Sequence, residues 1–207
     1  MSLRSSKSLG FSLIEMLVVI SIFVIVTGIV LVNLPAFRDK SSLDLVAQEI
    51  ALTIRQAQVF GIGTRAFGAN AYPSHGIYLD PNQQQQFVLF ADLPTVSGGL
   101  LGDKLYNTAL NCGQSGSECR EIFRLGGGIS IEGIYRCPAT GCDSSKYTQP
   151  INIVFQRPRT DAGFYISRRG SPTGLNAAAL KIRVQNNVGS WRDIMVTKAG
   201  HIYVEKS

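Results

Sequence analysis

Catalytic spacing is what this chain of 207 residues lacks most plainly. Its two histidines, His75 and His201, lie far apart in sequence, and neither G-x-S-x-G nor H-E-x-x-H occurs, which removes the familiar hydrolase and zinc-protease signatures. Gly126, Gly127 and Gly128 do not open a helical pattern, so they read as a turn between strands and not as a phosphate loop. Asp80, Asp92 and Asp103 lack the spacing of a compact calcium loop and read as surface aspartates. The chain therefore reads as a non-enzyme, with no cofactor and no metal expected.

Charge is the second absence. From Phe11 to Leu34 the only ionisable side chain is Glu15, and at 1.5 Å per residue this run would span about 36 Å as a helix, enough to cross a bilayer with some tilt. Arg4 and Lys7 precede it, and short basic flanks stay cytoplasmic, so everything after Leu34 is expected on the far side of the membrane. A cleaved secretory signal is the rival, but "VNLPAFRDK" offers no convincing small-x-small cleavage site. Glu15 then needs an explanation, because a charged residue at the centre of a membrane helix costs roughly 2.5–3.5 kcal/mol on insertion scales.

Cysteine is sparse as well, at four residues. Cys112 and Cys119 bracket one Gly/Ser-rich loop and Cys137 and Cys142 another. Two local disulfides are the simplest of the three possible pairings and fit an oxidising compartment. A four-thiolate zinc site is the competing reading, but the spacings C-x6-C and C-x4-C lack tight C-x2-C knuckles.

What the N-terminus does contain is "KSLGFSLIEMLVVISIF", a short basic leader, a glycine, an aromatic residue and a glutamate at the fifth position after the glycine. This stretch resembles the cleavage and methylation motif of type IV prepilins and type II secretion pseudopilins. The resemblance implies a leader over residues 1–10, cleavage by a prepilin peptidase between Gly10 and Phe11, N-methylation at Phe11, and an assembly role for Glu15. Its physical logic is that cleavage creates an amine on Phe11, and a neighbouring subunit's Glu15 can neutralise that amine in the apolar interior of a helical filament. Family members often place a proline inside this helix. Here the first breakers are Gly28 and Pro35, and Pro35 either bends the chain or starts a second helical segment.

Beyond the apolar helix (residues 11–34), an amphipathic continuation is expected over 35–62. Leu43, Val46, Ala47, Ile50, Ile54 and Ala57 form one apolar stripe, while Asp44, Gln48, Glu49, Thr53 and Arg55 fall elsewhere. Leu45, Leu52 and Val59 form a second row at seven-residue spacing, either a seam against neighbouring subunits or a wider core face. Gly61 and Gly63 end the helix. From residue 63 to 207 the period changes to two. "HGIYLD" and "QFVLFAD" flank "PNQQQ" as a hairpin, "EIFRL", "GISIEGI", "INIVFQ" and "GFYIS" read as strands, and the last segments alternate about an Asn-rich turn and a Lys-Ala-Gly turn. The fold class is α+β, a long N-terminal helix followed by an antiparallel β-domain.

"LVAQEIALTIRQAQVFGIGTRAF" and the ending "VTKAGHIYV" are similar to the H-type minor pseudopilins (GspH/FimT group). That resemblance implies a two-sheet β-domain after the helix, and a subunit of the periplasmic pseudopilus of a type II secretion system, anchored in a bacterial inner membrane until processed and then assembled with other pilins or pseudopilins.

Charge is also distributed unevenly. Residues 1–150 carry eleven Lys/Arg against eleven Asp/Glu, whereas residues 151–207 carry nine against three, which accounts for the whole net charge of +6. Arg157, Arg159, Arg168 and Arg169 fall in or beside loop-like stretches, and Lys181 and Arg183 alternate with Ile182 and Val184 on one face. These six are the candidate anion-binding residues. They offer an alternative function, a minor type IV pilin that binds DNA during uptake, although the last segment "GHIYVEKS" has no arginine as the DNA-binding relatives do.

Overall fold

The computed structural model describes residues 11–63, 72–94, 102–168 and 170–205. The chain divides into two compact units, Met1–Lys40 and Ser41–Ser207. One helix, α1 (Leu13–Ile62), contributes to both. It runs unbroken through Pro35, so no second helix starts there; it ends at Ile62, between the two glycines expected to stop it.

In the second unit, Leu43, Ala47, Ile50, Ala51, Ile54 and Ala57 are completely or almost completely buried, the i, i+3, i+4 stripe of an amphipathic helix. Val46 is only partly buried, and Thr53, expected off this stripe, is buried. Its hydroxyl donates to the Glu49 carbonyl (2.9 Å), which satisfies it in the interior.

Ten strands follow: β1 (Ser74–Leu79), β2 (Gln86–Asp92), β3 (Cys119–Arg124), β4 (Ser130–Cys137), β5 (Ile151–Phe155), β6 (Ala162–Arg168), β7 (Ser171–Gly174), β8 (Ala179–Gln185), β9 (Trp191–Thr197) and β10 (Ile202–Glu205). They form two antiparallel sheets, ordered β3-β2-β1-β5-β6-β7 and β10-β9-β8-β4. The helix stripe shares one core with Ile77, Leu89, Ile153 and Phe155 of the first sheet and Ile134, Leu180, Ile182 and Ile194 of the second. This is the α+β arrangement expected from the two periodicities, with the two sheets that the pilin-like resemblance implies.

Polar contacts fasten the helix to the strand ends. The Arg55 guanidinium donates to the Ile202 carbonyl (2.7 Å), Gln58 Nε2 donates to the carbonyls of Thr160 and Gly200 (both 3.0 Å), and Arg192 pairs with Asp44. Gly61 has a role beyond ending the helix. A Cβ there would overlap the Phe155 carbonyl, so only glycine lets the last turn approach β5 this closely. Gly127 and Gly128 adopt positive φ (66° and 70°) between β3 and β4, the turn expected of the triple glycine.

Candidate functional site

At the N-terminal end, α1 begins just after Phe11, with the Met16 N–H donating to the Ser12 carbonyl (3.2 Å) in the first turn. Glu15 lies in that first turn, where a negative charge is favoured by the exposed N–H groups of a helix start. It lies four residues after Phe11, which precedes α1. Ser21, a polar residue within the apolar run, satisfies its hydroxyl internally by donating to the Leu17 carbonyl (2.8 Å).

Around Glu15 the helix is apolar on every side, and its side chains are exposed: Phe11 is 80% exposed, and Leu13, Leu17, Ile20, Val24 and Leu31 are all open. This part of α1 is long and apolar enough to cross a membrane. A helix hydrophobic all round belongs in lipid or inside a helical assembly. Gly10 and the rest of the leader lie outside the described residues.

Further along α1, Leu45, Leu52 and Val59 are 68%, 59% and 64% exposed. Their seven-residue row is therefore no part of this chain's own core, which resolves the choice between core face and seam against the core face.

Both cysteine pairs are joined as local disulfides, Cys112–Cys119 and Cys137–Cys142. The first closes the loop before β3, and the second closes the loop after β4.

The candidate basic residues do not act as one group. Arg157 and Arg159, in the β5–β6 connection, line a groove of about 420 Å³ together with Lys104 and Lys198, two cations that sequence reasoning did not select, and with Tyr165 and Asp161. The Arg157 guanidinium also stacks 4.5 Å from the Tyr72 ring. Arg168 is exposed at the end of β6 and does not line this groove, and Arg169 lies outside the described residues.

Lys181 and Arg183 share one face of β8, as expected, and both stand over the Tyr135 ring. They are engaged, however, by the buried Asp193 on β9: Arg183 donates two hydrogen bonds to it (2.8 Å each) and Lys181 stands 3.9 Å away. Arg183 is further covered by the Trp191 ring at 3.9 Å. Hydrogen bonding to Asp193 raises the Arg183 pKa above its ordinary value. This pair is internal architecture and not a free anion site. Asp193 was readable in advance, because Arg183 and Asp193 are direct cross-strand partners in the β8–β9 hairpin.

Residues 5–31 match the family described as the prokaryotic N-terminal methylation motif. The matched stretch contains Gly10, Phe11 and Glu15, and it supports a type IV pilin-like protein processed by prepilin peptidase and assembled with other pilins. It fits anchoring in an inner membrane. No curated protein and no solved structure matches the chain.

Proposed function

We propose that this chain is a minor pseudopilin of the H type, held in the inner membrane with its β-domain on the periplasmic side until a prepilin peptidase cuts between Gly10 and Phe11, and then built into a short pseudopilus of a type II secretion system. The observation that carries the reading is Glu15, the single charge in the first turn of an exposed, otherwise apolar helix. Alone in hydrocarbon it is a cost; paired with the Phe11 amine of the adjacent subunit it fixes the register of one helix against the next. The exposed Leu45, Leu52 and Val59 offer neighbouring subunits a separate apolar row.

The test is to express Glu15→Leu with the assembly machinery and score two things, leader removal by mass and incorporation by recovery in the sheared filament fraction. The expected result is normal cleavage with incorporation reduced at least tenfold. Normal incorporation would overturn the role given to Glu15.

A second reading, a minor type IV pilin whose basic groove takes up DNA, is favoured by the convergence of Lys104, Arg157, Arg159 and Lys198. It requires duplex binding by the full-length chain that weakens steeply with salt and weakens further in Arg157→Ala/Arg159→Ala. Binding indifferent to that double substitution would remove the groove from this reading.

A further inference from the structure

Three carboxylates from separate stretches of the chain converge beside β2. Asp92 is the last residue of β2, Asp103 lies in the long connection that follows, and Glu118 immediately precedes β3. One oxygen of each lies within 4.8 Å of the others.

The cluster is held by backbone groups. The Lys104 N–H donates to Asp92 Oδ1 (3.0 Å), the Leu105 N–H to Asp103 Oδ1 (3.0 Å), the Leu93 N–H to Glu118 Oε1 (3.1 Å) and the Asn107 N–H to Glu118 Oε2 (2.7 Å). Gly102 lies so close that a Cβ on it would overlap the Asp92 carboxylate. Asp92 is only 1% exposed, and its Oδ2 is buried with no hydrogen-bond partner among the described residues. An orphaned carboxylate oxygen costs free energy unless a proton or a cation meets it.

No cationic side chain of the described residues forms an ion pair with it. Among the described residues the ion pairs go to Asp44, Glu132, Asp143 and Asp193, and the nearby Lys104 places its ammonium over the Tyr165 ring, 5.2 Å from the centroid. The three carboxylates are thus held together by backbone N–H groups, with no ion pair to any of them among the described residues.

We propose that Asp92, Asp103 and Glu118 form a calcium site that clamps the connection 102–118 onto the end of β2. The donors are all carboxylate oxygens, which select a hard cation over zinc or copper. Calcium takes oxygens at about 2.3–2.6 Å in a flexible shell that three carboxylates within 4.8 Å of one another can begin to build, whereas magnesium demands near-ideal octahedral geometry at about 2.0–2.1 Å and keeps several waters. The ion would fasten the connection at a second point, beside the Cys112–Cys119 disulfide that closes its far end.

The experiment uses the full-length chain in detergent, stripped with a chelator, titrated with calcium chloride by calorimetry and melted with and without calcium. The expected result is one ion per chain, a dissociation constant no weaker than the about 10⁻⁴–10⁻³ M of extracellular modules, and a saturable rise in melting temperature. Asp103→Asn, at the least buried of the three positions, should melt as the stripped wild type does and bind calcium at least tenfold more weakly. Asp92→Asn should abolish binding. No heat and no melting shift up to about 10 mM calcium, above the range of the weakest modules, would overturn the proposal, as would wild-type affinity in Asp103→Asn. An equal response to magnesium would overturn the assignment to calcium.

Discussion

Glu15 and Asp193 are both acidic residues in apolar surroundings, and the chain resolves them differently. Asp193 finds its partners inside the same subunit, across one hairpin, in Lys181 and Arg183. Glu15 stands among uncharged, exposed side chains of the described residues, and on the proposed reading its partner is the Phe11 amine of the adjacent subunit. Arg183→Met should accordingly lower the unfolding free energy by about 1.5–3 kcal/mol, the value of hydrogen bonds to a charged group, because it leaves Asp193 buried with only the more distant Lys181. Chemical denaturation of the detergent-solubilised chain measures this. The loss should appear without any change in leader cleavage. At this scale the signal was local at the N-terminus, where residues 5–31 match a family motif; Lys181 and Arg183 read as a basic face, and it takes the register of the β8–β9 hairpin to set Asp193 opposite Arg183.

At the scale of elements, α1 presents two faces with different duties. Ile54 is fully buried in the shared core, and Ile54→Ala should destabilise the fold by about 2–5 kcal/mol. Leu52, only two residues away, is exposed, and Leu52→Ser should change stability by no more than about 0.5 kcal/mol while reducing recovery in the filament fraction. A melting curve and a filament assay on the same two variants separate the duties. Gly61→Ala should destabilise by about 1–3 kcal/mol, since its methyl group meets the Phe155 carbonyl. The strands were legible because apolar and polar residues alternate along "ALKIRVQ" and because "HGIYLD" and "INIVFQ" are short apolar runs beside turn residues. β7 was not, because Ser171–Gly174 is short, exposed and carries Pro172, a residue tolerated at a sheet edge but read from sequence as loop. Thr53 was misplaced for a related reason: a hydroxyl that bonds back to Glu49 can occupy a core position that its polarity argues against.

For the whole molecule, the long helix and the antiparallel sheets were legible in composition and period, and the two local disulfides in cysteine spacing. Joint replacement of Cys137 and Cys142 by serine should lower stability by about 2 kcal/mol, the chain-entropy value for so short a loop, measured by denaturation under non-reducing conditions. The acidic cluster was hidden for a reason that holds at this scale only. Asp92, Asp103 and Glu118 are widely spaced in sequence, Asp92 passed for a surface aspartate, and only folding brings the three together and buries the first.

The claim on which the rest depends is that the N-terminus is processed as a prepilin. Intact-mass and N-terminal analysis of the full chain co-expressed with a prepilin peptidase tests it most directly. The account predicts loss of Met1–Gly10 and a mature chain that begins with N-methylated Phe11. An uncleaved chain, or one cut after Leu34, would contradict it and take the role of Glu15 with it.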